Sequence, residues 1–387
     1  MERYKTLKGK GLAFLFFLWF LWFINFSIRI AFSPILPLVE DEFSISHGKA
    51  SSIFIFLSAG YGVGVLASGL FSGRVGYKRS IITSLLLLSI VTFLIPFVYN
   101  FSLLYLFSFL LGFSVGIYLP AAIPLITEYY SEKQWGKAIS IHDTGASAAI
   151  FATPLISIFL LYFFKWRDMF MVYGVFFLLC AVIFYFVSRE VKISNPPRAI
   201  FKEIIKRRAL WLQAILWIFV AGANLGIYSI TPLYLTKELK MNISFANTIL
   251  AISRLGSIGV AVACGFIVDK FNLRYVILIM VFITSIFTIL LGTIGVKYIA
   301  FVLFFQAIFV TGFFPIGLVA IARIFDRKTR SLATGIILAL SILFGGGLIP
   351  YFLGVSGDLY SFGLGIVILG VLVMLSSTLL FHIKELE

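Results

Sequence analysis

Apolar runs long enough to cross a bilayer recur twelve times along this chain of 387 residues and leave little sequence for anything else. A helix needs roughly 20 apolar residues to span the hydrocarbon core. In lipid, backbone amides must bond within their own segment or within a closed sheet, so only helices and barrels qualify. Barrel strands alternate inward and outward residues over about ten positions. The stretches 81–98 and 170–187 show no such alternation. Charged residues make up 12% of the chain, against about 25% in a soluble domain, so most of the surface avoids water. The pattern predicts an all-α polytopic membrane protein. Its helices fall near 11–38, 49–71, 80–98, 102–127, 137–163, 169–188, 209–235, 243–267, 275–295, 299–324, 332–353 and 360–382.

The net charge of +15 raises nucleic acid as a partner, but the way it is distributed excludes that reading. With the N-terminus inside, the inner loops and tails hold 22 Lys/Arg, whereas the outer loops hold 6, matched by 6 acids. This is the positive-inside bias. It predicts a multi-pass protein of the cell membrane with both termini cytoplasmic and its basic loops against anionic headgroups. Cys180 and Cys264 fall within membrane helices, and three scattered histidines offer no metal cluster. Neither a disulfide framework nor a metal site is expected. No Gly-rich stretch carries a Walker Lys-Ser/Thr pair, so the reading is not an enzyme, with no cofactor and no catalytic residues. The longest polar stretch, 189–208, contains Pro196-Pro197 and seven Lys/Arg. It reads as a cytoplasmic linker between a six-helix bundle over 1–188 and a second over 209–387.

A Gly-basic loop motif occurs twice. Gly69-Leu70-Phe71-Ser72-Gly73-Arg74-Val75-Gly76-Tyr77-Lys78-Arg79 follows helix 2. Its altered copy, 196 residues on, is Gly265-Phe266-Ile267-Val268-Asp269-Lys270-Phe271-Asn272-Leu273-Arg274 after helix 8. With these motifs, twelve helices and a basic central linker, the chain resembles the major facilitator superfamily over its whole length. The family pattern is Gly, three residues, Asp, Arg or Lys, one residue, Gly, then basic residues. The second copy keeps Gly265, Asp269, Lys270 and Arg274 but has Asn272 at the second glycine. The first keeps Gly69, Arg74, Gly76, Lys78 and Arg79 but has Gly73 where the acid belongs. The resemblance implies two pseudo-symmetric bundles rocking around a central cavity, and a monomer. Helices 1, 4, 7 and 10 would line the cavity, and 2, 5, 8 and 11 would form the bundle interface. The loop motifs, with Glu128 and Arg323 at corresponding inner ends of helices 4 and 10, would form the cytoplasmic gate.

A charge at mid-bilayer costs about 3 kcal/mol or more by insertion scales, which makes each one a functional candidate. Arg29 lies past the middle of helix 1, on one face with Asn25 and Ser33 at steps of four. Arg254 lies near the middle of helix 8, and Asp143 lies in helix 5 beside His142. In one reading the arginines bind an anion, because guanidinium is permanently charged and pairs with a carboxylate through two parallel bonds. Asn25, Asn224, Tyr228, Tyr118 and Gln306 would complete that substrate site. A proton on Asp143, with His142 adjacent, would free Arg254 for the anion. In the other reading Asp143 simply neutralises Arg254, and Arg29 snorkels to the outer surface.

The expected function is a secondary transporter for a small anionic solute, an organic acid or inorganic oxyanion, in symport with protons. The competing function is a proton-coupled exporter of lipophilic cations. Such exporters carry a Gly-Pro pair in helix 5, where this chain reads Asp143-Thr144-Gly145-Ala146-Ser147-Ala148. A cation site also favours an acid where this chain places arginine.

Overall fold

The computed structural model describes residues 4, 7–189, 204–257, 259–260, 264, 271–326, 329–383 and 385. Among them, eleven helices are long and apolar enough to cross a membrane. They are α1 (Gly9–Phe43), α2 (His47–Val75), α3 (Tyr77–Phe97), α4 (Phe101–Tyr129), α5 (Glu132–Phe163), α6 (Trp166–Val187), α7 (Arg208–Glu238), α9 (Leu273–Thr293), α10 (Val296–Ile324), α11 (Leu332–Leu359) and α12 (Phe362–His382). Between α7 and α9 lies α8 (Ile243–Ser253), which leads toward residues outside the described set. The fold is all-α, and the halves repeat each other's packing. Helix α1 packs on α5 as α7 packs on α11. Helix α3 packs on α4 and α6 as α9 packs on α10 and α12.

Several helices run past the apolar stretches that announce them. Helix α1 continues to Phe43 through Glu40, Asp41 and Glu42, and α11 continues to Leu359 through Asp358. Hydropathy marks the hydrocarbon core, whereas backbone hydrogen bonding carries on into the polar layer. The starts follow from capping chemistry: a side-chain oxygen accepts the exposed amide of the first turn. Ser46, Asn100, Asn242, Asn272 and Ser361 each cap the helix that follows. The short turns before α2 and α8 bend at left-handed residues, Ser44 at φ 48° and Lys240 at φ 56°.

By its contacts the chain forms two compact units, Met1–Phe32 with Phe56–Pro196, and Ser33–Ile55 with Pro197–Glu387. In the first, α2 and α4 meet through two glycine pairs spaced four apart. A Cβ on Gly60 would lie 2.0 Å from the Phe109 carbonyl oxygen, and one on Gly64 would lie 2.2 Å from that of Phe113. From the other side, a Cβ on Gly112 would lie 2.0 Å from the Leu57 oxygen, and one on Gly116 would lie 2.5 Å from that of Tyr61. Such small-residue seams let backbones touch where lipid supplies no hydrophobic drive. Ser68 Oγ extends the seam by donating to the Ile117 carbonyl at 2.8 Å.

In the second unit, carboxylates sit on helix N-termini. Asp358 accepts the amides of His47 and Gly48, each at 2.8 Å. Glu238 accepts those of Phe362 and Gly363. Both use the positive end of the helix dipole. Next to the first, Glu40 bonds His47 Nδ1 at 2.7 Å, and Lys237 pairs with Glu40 at 3.5 Å and with Asp41. Asp358→Ala removes a cap from two amides, one of them on a buried residue. Since Asp358 is exposed, the expected loss is about 1 kcal/mol, read as a melting temperature a few degrees lower in detergent. An unchanged melting temperature would show that water replaces the carboxylate without cost.

Candidate functional site

Arg254 follows the last turn of α8 and is buried, with 3% of its surface exposed. Its Nη1 donates to Asn224 Oδ1 at 2.7 Å and its Nη2 reaches the Asn224 carbonyl at 3.4 Å. The guanidinium lies 5.1 Å from the centre of the Tyr228 ring. Residues Gly222–Gly226 of α7 form a wide π-helical turn, an irregularity that concentrates at functional sites. That turn loosens the local ladder and presents both oxygens of Asn224 to one cation. A Cβ on Gly345 would lie 2.6 Å from the Ile218 oxygen, so α11 supports this part of α7 at close range. The structure therefore brings Arg254, Asn224 and Tyr228 together. All three partners offered to the arginine are neutral, and its Nε has no hydrogen-bond partner. Gln306 on α10 is turned to structural work, donating to the Ala223 carbonyl at 2.7 Å, while its Oε1 is unpartnered.

In the first unit, Arg29 is buried on α1, 4.1 Å from the centre of the Tyr61 ring and 5.3 Å from that of Phe26. No ion pair to a carboxylate is formed by Arg29 or Arg254 among the described residues. Asn25, one turn before Arg29, is fully buried with neither side-chain atom bonded. Tyr118 on α4 donates to the Leu18 carbonyl at 3.0 Å and meets His142 Nε2 at 3.2 Å. Asp143, the next residue on α5, faces the Trp22 indole. Trp22 did not stand out in the sequence, because one aromatic among so many carries no signal without its neighbours.

The loop residues do several jobs. Gly76 adopts φ 94° at the start of α3, a backbone state that favours glycine, and its carbonyl accepts from Ser80. Arg74 and Arg79 are exposed. Lys78 donates to the Tyr185 and Ser188 carbonyls at the end of α6, at 2.7 and 2.6 Å. In the second half, Arg274 donates to the Ile383 carbonyl after α12 at 2.8 Å, and Asn272 caps α9. In each half a basic residue of the motif thus ties the sixth helix of its repeat. Glu128 lies in the last turn of α4 near Tyr77, and Arg323 is exposed in the last turn of α10. Gly69 lies within α2. Gly265, Asp269 and Lys270 lie outside the described residues.

Among the described residues, eleven helices long and apolar enough to cross a membrane, in halves that repeat each other's packing and each hold a buried arginine, define a polytopic helical membrane protein. The chain belongs to the Major Facilitator Superfamily, whose profile matches residues 18–296 and 228–386. Among its relatives, a putative niacin/nicotinamide transporter of Bacillus subtilis (strain 168) is 22% identical over 312 residues, 76% of this chain and 71% of the relative. A niacin transporter of Acinetobacter baylyi is 27% identical over 193 residues, 50% of this chain and 41% of the relative. An uncharacterized Bacillus subtilis transporter, YybO, is 27% identical over 163 residues, and this chain spans only 37% of its length. The fold matches a bacterial homolog of the human lysosomal transporter Spinster at TM-score 0.81 and 16% identity, over 98% of both chains. It also matches a D-xylose-proton symporter at TM-score 0.80 and 16% identity, over 97% of this chain and 98% of the other.

Proposed function

We propose that this protein carries a small anionic solute across the cell membrane by alternating access, in symport with protons. The observation that carries the proposal is Arg254, a buried guanidinium held, among the described residues, only by a neutral amide, a carbonyl and an aromatic ring. An ion kept out of water without a counterion is costly, and an incoming carboxylate or oxyanion removes that cost through paired hydrogen bonds. Arg29, over Tyr61, repeats the condition in the first unit. Niacin, named for two relatives, is a carboxylate at neutral pH and falls within this class. Asp143 and His142 supply the proton route, as adjacent titratable groups on α5. The basic inner loops support cytoplasmic termini, and the family expectation is a monomer.

The test is uptake of labelled monocarboxylates and of their neutral amides into proteoliposomes, with and without an inward proton gradient. Carboxylates are expected to accumulate only with the gradient, and the amides not at all. Asp143→Asn is expected to keep exchange of carboxylate for carboxylate while losing gradient-driven accumulation. Equal transport of amides, with no response to the gradient, would overturn the proposal.

A further inference from the structure

We infer that the solute is an aromatic carboxylate whose planar ring carries a further polar atom, recognised in the first unit by Trp22, Asn25 and His142. The inference rests on the anion reading above and adds the shape of the cargo. Three rings from three helices lie nearly parallel: Trp22 and Tyr118 with centroids 5.7 Å apart at 9°, Trp22 and His142 at 5.9 Å and 13°, Tyr118 and His142 at 6.0 Å and 14°. In a column, the outer two rings would be about twice as far apart as neighbours. Three near-equal separations instead mean a shingled triangle, offset in the manner aromatic pairs prefer. Its members are all buried.

The hydrogen bonds fix the chemistry of this cluster. The Leu18 carbonyl only accepts, so the Tyr118 hydroxyl spends its single proton there. Its oxygen then accepts from His142, which places a proton on Nε2. Nδ1 of the neutral imidazole is left as a buried acceptor without a partner. Asn25 adds an unpartnered donor, Nδ2, and an unpartnered acceptor, Oδ1. The Trp22 indole faces the Asp143 carboxylate without a hydrogen bond of normal geometry. Native interiors rarely leave buried polar groups unbonded, and here they gather beside parallel rings.

Helix geometry links this cluster to the cation. Trp22, Asn25 and Arg29 are spaced three and four apart, so they share one face of α1. At about 1.5 Å per residue, Trp22 and Arg29 are about 10 Å apart along the axis. That face presents, in order, a flat ring, an amide with both atoms free and a guanidinium. A flat ring, a polar ring substituent or ring nitrogen, and a carboxylate match it in the same order. An aliphatic acid would satisfy only the last of the three.

The experiment compares proteoliposome uptake of benzoate and a pyridine carboxylate with that of propionate and lactate, for the wild type, Trp22→Phe and Trp22→Leu. The wild type is expected to favour the pyridine carboxylate by about tenfold over the aliphatic acids, the discrimination one stacked ring pair supplies. Benzoate should fall between them. Trp22→Phe should keep most of the preference, and Trp22→Leu should erase it, with aromatic uptake falling to the aliphatic level of the same variant. Equal wild-type uptake of aromatic and aliphatic acids would overturn this inference and leave the anion reading standing. Uptake of neither class would overturn both. The wild-type comparison needs no variant to fold, and ligand quenching of tryptophan fluorescence that survives Trp22→Phe unchanged would also overturn the inference.

Discussion

Arg254→Ala is expected to reduce carboxylate uptake, measured as kcat/KM in proteoliposomes, by about a hundredfold or more. Removing one member of a desolvated charge pair costs roughly 2–5 kcal/mol in the bound state, and each 1.4 kcal/mol is tenfold. The variant has a second, opposite signature. Among the described residues Arg254 has only neutral partners, so deleting it removes a buried charge without stranding another. Its melting temperature is therefore expected to hold or rise as transport disappears. Arg254→Lys keeps the charge but not the planar fork, and it should recover only part of the activity. A variant that transports normally would sink the assignment. One that loses transport only because it melts would show that the arginine is a packing element.

Gly112→Leu is expected to abolish recovery of folded protein. Its Cβ would lie 2.0 Å from the Leu57 oxygen and 2.9 Å from the Tyr61 amide. Both are backbone atoms of α2, which no rotamer change can move. The helices would have to separate, and the four-glycine seam would open along its length, at a cost above the roughly 1–3 kcal/mol of ordinary overpacking. Monodisperse yield in detergent is the readout. Gly62→Ala is the control on α2, because nothing lies within 4 Å of its added Cβ. It should leave yield unchanged or slightly improved, since alanine is the better helix former. Equal behaviour of the two variants would refute the seam.

The bilayer makes much of this fold readable in the chain. Runs of apolar residues and the placement of lysine and arginine report solvent, and the solvent of a membrane helix is uniform over most of its length. What escapes is whatever depends on a partner distant in sequence. Asp358 reads as an outer-loop charge until its carboxylate is found on the amides of His47 and Gly48. Gly60 and Gly112 read as ordinary membrane glycines until each meets the other helix's backbone. Arg254, Asn224 and Tyr228 are each visible as polar groups that lipid would penalise. Their meeting depends on the π-helical turn at Gly222–Gly226, which hydropathy does not encode. His142 and Tyr118 are likewise visible singly, whereas the parallel arrangement with Trp22 is not. Asp269 and its neighbours in the second loop motif lie outside the described residues.

The covalent path between the two units has a mechanical meaning. The backbone passes from one to the other at Phe32–Ser33, again at Ile55–Phe56, and only then at Pro196–Pro197. Residues 33–55 therefore belong to the second unit, although the chain on either side of them belongs to the first. A cut within 189–208 would therefore not divide the chain into its two units, because residues 33–55 of the second unit stay in one covalent piece with the first.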